Sequence, residues 1–178
     1  AYNVWKAFNC TECIDNAWQG LQLYHKMLER NYSVSASIFC KWGDWNPAYP
    51  PPGRLNNSGV GPPFTRTISS ITASAMVVQN FIQIAEMARA TGRSEAADYY
   101  AAMVPKLKAD YHNAFFDPLG QVYGDGSPTA FGCALWLGVT PSQLLPAVVE
   151  NFVQRLLTKI RVDDRIPVLV RIGRPPLF

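Results

Sequence analysis

The stretch Ile84-Ala85-Glu86-Met87-Ala88-Arg89-Ala90-Thr91-Gly92-Arg93-Ser94-Glu95-Ala96-Ala97-Asp98-Tyr99-Tyr100 reads as the end of one helix, a turn and the start of another. Upstream, Ile71, Ala75, Val78, Ile82, Ala85 and Ala88 recur at steps of three and four, so one face of a helix from Ile68 to Thr91 is apolar. Gly92 suits a left-handed stop because it has no Cβ to strain there. Ser94 is placed to cap the next helix. Tyr100, Val104, Leu107, Tyr111 and Ala114 then give the buried face of a second arm, Glu95 to Phe116. So short a turn leaves the two arms antiparallel. Pro105 falls inside the second arm, where a lost N–H and a ring clash cost about 3 kcal/mol, and a kink or break is expected.

The helical period returns on both sides of this hairpin. Residues 1–13 show none, but Ile14, Ala17, Leu21, Tyr24 and Leu28 mark one face of a helix ending near Arg30, with His25 beside that face. Downstream, Asp117 to Gly120 is a turn, and Gln121 to Gly126 a short extended piece. Ser127 as N-cap and Pro128 as first helical residue open a short helix that runs through Leu137 and closes at Gly138. Pro141 and Pro146 bracket a further start, and Val149, Phe152, Val153, Leu156 and Ile160 define the last helix. Residues 31–40 read as a connecting strand or loop. Residues 46–66 are too rich in proline for a helix or central strand, and a loop of about 20 residues inside a compact domain is usually functional. After Arg161 the helical period is lost, and prolines at 167, 175 and 176 leave the run from Ile166 to Ile172 poorly specified as a strand. An all-α domain over 1–160 with an irregular basic tail over 161–178 is the expected organisation.

Composition narrows the partners. A chain of 178 residues, 48% hydrophobic and 16% charged, is globular and long enough to bury a core. No apolar run approaches the roughly 20 residues a membrane helix needs, and no signal-peptide pattern opens the chain, which starts at Ala1 as a mature product or a fragment would. Residues 1–158 carry 11 basic and 11 acidic side chains, and the net +3 arises from five basic and two acidic residues in 159–178. Nucleic acid is therefore not an expected partner, since phosphate binding needs a clustered basic face. Cysteines 10, 13, 40 and 133 permit three disulfide connectivities; a zinc ribbon would need a second C-x-x-C, which is missing. Sequons at Asn9, Asn31 and Asn56 are compatible with secretion.

The chemistry is expected in Lys41-Trp42-Gly43-Asp44-Trp45-Asn46-Pro47. Two indoles flanking a carboxylate offer an apolar wall and an acceptor for hydroxyl protons, a pairing suited to carbohydrate. The same residues also read as two core aromatics and a turn or cap aspartate. His25 and His112 each lack a second histidine or cysteine four residues away, so neither reads as a metal ligand. Asp125, between two glycines, reads as a turn residue, with a substrate-facing loop as the other option. No nucleophile elbow, phosphate loop, dinucleotide fingerprint or H-E-x-x-H occurs, and no cofactor or metal is expected.

The order of motifs resembles the catalytic domain of the α-L-rhamnosidases, six-hairpin glycosidases. It is carried by Ile14-Asp15-Asn16-Ala17-Trp18 to Leu28, Trp42-Gly43-Asp44-Trp45, Ile84 to Ala88 through Gly92, Tyr99-Tyr100 to Phe115-Phe116, Pro128-Thr129-Ala130, Ala134-Leu135 to Pro141, and Val148-Val149-Glu150, spanning roughly 15–160. The resemblance implies an incomplete α/α toroid and an inverting hydrolase of terminal L-rhamnosides. Inversion uses two carboxylates about 6.5–9.5 Å apart. It further implies that Trp45 forms an aromatic wall of the sugar site, with Asp44 and Trp42 as candidate contacts.

Two departures stand out. The family's Asp-Glu-Arg acid segment has no counterpart here, and 161–178 do not reproduce the glycine-rich loop that precedes its base. Both catalytic carboxylates are thus expected to be missing and the chain to be inactive alone, with no catalytic residue assigned. A non-catalytic carbohydrate-binding or helical interaction module and a different α/α-toroid glycosidase are the alternatives, because function follows the site and not the fold.

Overall fold

The structure, a computed structural model, describes residues 1–31 and 64–162; for 64–70 and 158–162 only the backbone is described. Among the described residues are six helices: α1 (Tyr2–Phe8), α2 (Glu12–Asn31), α3 (Phe64–Ala90), α4 (Ser94–Phe115), α5 (Pro128–Leu137) and α6 (Leu145–Val162). A small antiparallel ladder, β1 (Phe116–Asp117) with β2 (Val122–Tyr123), joins α4 to α5, pairing Phe116 with Tyr123 and Asp117 with Val122.

The α3–α4 hairpin is the spine, and α3 packs on α1, α2, α4 and α5. Gly92 adopts φ 72°, and the N–H of Arg93 closes back onto the carbonyl of Ala88, so the left-handed stop forms where the sequence places it. Ser94, however, is not a cap. Arg93 holds the N-cap position with no side-chain hydrogen bond, and its guanidinium instead pairs with Asp15 at 2.8 Å and stacks over Trp18 at 4.7 Å, tying the turn to α2. Pro105 does not break α4 either. Its ring is exposed, and the Ala101 carbonyl is the acceptor that loses a backbone partner.

Other boundaries also differ from the periodicity. Residues 2–8 form α1, which packs Tyr2 and Trp5 against the core despite its lack of an apolar stripe. Helix α3 starts at Phe64, so its first turns take in Phe64 to Thr67, ahead of the expected start at Ile68. On α2, Tyr24 turns out toward solvent and His25 takes the inward position with Ile14 and Leu28. On α4, Tyr100, Leu107 and Tyr111 are buried, Val104 is half-buried, and Ala114 is exposed.

The core runs along α3 through Ile71, Val78, Phe81 and Ile84 and continues into Tyr111, Tyr123 and Phe131. Side chains of this size contribute roughly 1.5–3 kcal/mol each when fully buried. At α5 the expected signals are all present: Ser127 Oγ accepts from the Ala130 N–H, Pro128 opens the helix, and Gly138 at φ 61° ends it. Helix α6 departs most. Val148 is buried and Phe152 stacks on Phe131 at 5.4 Å, but Val149 and Val153, expected on the inner face, are exposed.

Candidate functional site

Because α3 and α4 are antiparallel across a short turn, α3 begins and α4 ends at the same end of the pair. The chain between Asn31, the last residue of α2, and Phe64, the first of α3, contains Trp42, Asp44 and Trp45. Those three residues lie outside the described part of the structure. What is described at this end is the β1–β2 hairpin and the groups that fix it.

The hairpin is held by a line of polar groups. His112 Nδ1 and the Tyr123 hydroxyl lie 2.7 Å apart, and that hydroxyl is 3.1 Å from Thr140 Oγ1. Tyr123 can donate to the imidazole while Thr140 donates to it, which satisfies a phenol that is otherwise fully enclosed. His112 also stacks on Phe116, with ring centroids 4.7 Å apart. Burial holds the His112 imidazole below its usual pKa and pushes the Tyr123 phenol up, so both are neutral near pH 7. Such a pair, hydrogen-bonded to each other and to Thr140, fixes the loop.

The loop glycines and aspartates have structural tasks. Asp117 Oδ1 accepts from the Leu119 N–H at 3.0 Å, and Asp125 Oδ1 from the Ser127 N–H at 2.9 Å, two Asx turns of the kind the sequence signals. Helix α6 clasps the same loop: Asn151 donates to the carbonyls of Gly120 and Gln121, and Arg155 to that of Gly126. The second Asp125 oxygen is buried without a hydrogen-bond partner.

A second feature is a cleft of about 230 Å³ between α1, α2 and α3, lined by Tyr2, Leu21, Tyr24, His25, Asn80 and Gln83 among others. Its walls mix rings and amides with Leu21 and Met87, and no carboxylate lines it. His25 forms its floor. Nδ1 lies 2.8 Å from the Leu21 carbonyl, Nε2 3.1 Å from the Asn80 carbonyl, and Phe81 meets the ring edge-on at 5.3 Å. The sequence places His25 beside the core face; nothing in its spacing announces that it sits inside it. At the rim, Tyr2 donates to Glu86 at 2.8 Å and Lys6 pairs with Glu86 at 3.0 Å. Burial pushes the Glu86 carboxyl up, but hydrogen bonds from Lys6 and Tyr2 and the charges of Lys6 and Arg89 outweigh it and hold the pKa below the usual range.

Most described carboxylates are thus committed to turns or cations, Asp98 and Asp110 pairing with Arg89 and Lys106. Among the described residues no His, Cys, Asp and Glu cluster could hold a metal ion, and no helix is long and apolar enough to cross a membrane. Cys10 and Cys13 are joined by a disulfide at the start of α2.

Antiparallel helices packed around the long α3 define an all-α helical-hairpin fold. The chain belongs to the family described as the bacterial alpha-L-rhamnosidase 6 hairpin glycosidase domain, whose model matches residues 1–163. Its fold is similar to the solved alpha-L-rhamnosidase from Dictyoglumus thermophilum, with TM-score 0.67 and 19% identity. That similarity covers 83% of this chain and 16% of the other, so the chain spans a small part of that enzyme's length. Among curated proteins no relative matches. The fold is therefore an all-α, incomplete α/α toroid of the six-hairpin type.

Proposed function

We propose that the chain is a sugar-facing part of an α-L-rhamnosidase-like domain, which holds one wall of a rhamnoside site and does not hydrolyse rhamnosides by itself. The family match over 1–163 is the observation that carries this reading. Carbohydrate is the partner it implies. Trp45 supplies the indole wall, against which the methyl-bearing face of a deoxy sugar loses water, and Asp44 and Trp42 are the flanking contacts. The absence of catalysis is supported by the missing Asp-Glu-Arg segment and by the tasks of the described carboxylates in turns and ion pairs. Inversion needs both an acid and a base across the glycosidic bond. Export of the chain is supported by the Cys10–Cys13 disulfide and by the exposed sequon residues Asn9 and Asn31.

Incubating the purified chain with an aryl α-L-rhamnoside tests the inactivity. No release of the aryl group above the buffer rate is expected. Turnover that survives repurification would overturn the assignment of the chain as non-catalytic.

A further inference from the structure

The C-x-x-C motif Cys10-Thr11-Glu12-Cys13 takes no part in the sugar-facing reading, and its two sulfurs are joined. It sits at the corner between α1 and α2. Asn9, at φ 53°, turns the chain out of α1 with its N–H on the Trp5 carbonyl, and the Thr11 carbonyl accepts from Ile14 and Asp15 to start α2. Cys10 therefore lies ahead of the helix, and Cys13 is its second residue. Both cysteines are half-buried, while Asn9, Thr11 and Glu12 around them are exposed, which leaves the bond open to a small thiol.

The corner does not depend on that bond. Backbone hydrogen bonds close it, Tyr2 and Lys6 fasten α1 to Glu86, and Arg93 fastens α2 through Asp15. Cysteines three positions apart also close a short loop, which constrains the unfolded chain little. The two sulfurs differ in setting. Cys13, in the first turn of α2, lies at the positive end of the helix dipole, which favours a thiolate, and Cys10 lies outside the helix. Of the first-turn carboxylates that oppose this effect, Asp15 is paired with Arg93 at 2.8 Å and Glu12 is exposed to solvent. The more stable thiolate is the better leaving group in exchange.

We propose that Cys10–Cys13 is a reversible thiol–disulfide exchange site whose substrates are small thiols and their disulfides. A thiolate attacks Cys10 Sγ, the Cys10–Cys13 bond breaks, and its electron pair leaves on Cys13 Sγ, which takes up a proton. A second thiolate attacks the thiol-derived sulfur of the mixed disulfide and releases Cys10, which takes up the other proton. Two thiols are thus oxidised to one disulfide while the pair is reduced to two thiols, and the reverse reaction restores the bond. No residue of 41–47 takes part.

Glutathione is the probe, applied to the whole 178-residue chain. The chain is equilibrated in about 10 mM reduced and about 0.1 mM oxidised glutathione, a poise that structural disulfides of secreted proteins resist. Acid quenching, alkylation and mass spectrometry of the tryptic peptide Ala7–Lys26 then read the pair apart from Cys40 and Cys133. More than half of the peptide should carry two free thiols, excess oxidised glutathione should restore the disulfide, and helical circular dichroism should stay constant throughout. At early times the mixed disulfide should lie on Cys10. C10S/C13S should keep the dichroism of the wild type. A pair that stays bonded at this poise, loss of helix on reduction or in C10S/C13S, or glutathione carried chiefly on Cys13 would each overturn the proposal. So would a wild type in which Cys10 or Cys13 is bonded to Cys40 or Cys133.

Discussion

The Tyr123 hydroxyl sits 2.7 Å from His112 Nδ1 at the junction of α4, the β hairpin and the loop after α5. Burial lowers the His112 pKa in the folded chain, so the unfolded chain takes up a proton first as pH falls. Stability from this group is therefore full above the unfolded value of about 6.5 and declines as pH drops through and below it. Urea unfolding at pH 7.5 and 5.5 should show that loss, and His112→Asn should flatten it. Glu86, whose pKa is held down, responds lower: its contribution is present above the usual carboxylate range and fades as pH falls through its folded value.

Removing the hydroxyl alone isolates the hydrogen bonds. Tyr123→Phe keeps the ring in the core but leaves His112 and Thr140 without their shared partner. A cost of about 1 kcal/mol is expected, read as a lower urea midpoint with an unchanged slope.

His25, only 2% exposed, is wedged between α2 and α3 against Phe81 and Tyr100. His25→Ala leaves a cavity and removes both contacts to backbone carbonyls. The expected loss is about 2–4 kcal/mol, and it should appear first as faster amide exchange in α2.

Two glycines should answer in opposite directions. Gly20 lies on the exposed face of α2 with nothing near a would-be Cβ, so Gly20→Ala should raise stability by roughly 0.5–1 kcal/mol. Gly126 holds φ 67°, and a Cβ there would run into the Arg155 guanidinium. Gly126→Ala should cost about 1–2 kcal/mol and release α6 from the loop, measured by thermal melts of the two variants side by side.

Five of the six described helices, the glycine stop between α3 and α4, and the caps of α5 were legible because each has a local cause: a repeating apolar face, a left-handed glycine, a serine before a proline. The errors came where tertiary contacts chose among equally apolar or equally polar faces. Tyr24 and His25 are adjacent, and only packing against Phe81 and Tyr100 decides which turns inward. Val148 and Val149 are the same residue type; the position of α5 decides which is buried. Helix α1 has no stripe to read, and Arg93 is recruited to Asp15 and Trp18 by a contact about 80 positions away in the chain. The candidate sugar contacts Trp42, Asp44 and Trp45 were legible only as residue types suited to carbohydrate and through the family resemblance.

The central claim, that Trp45 forms a wall for a rhamnoside, is tested most directly by titrating L-rhamnose and following tryptophan fluorescence in the wild type, Trp45→Phe and, as a control remote in sequence, Trp136→Phe. A saturable change in the wild type and Trp136→Phe that vanishes in Trp45→Phe is the expected result. No saturable change in the wild type, or one that Trp45→Phe retains undiminished, would contradict it.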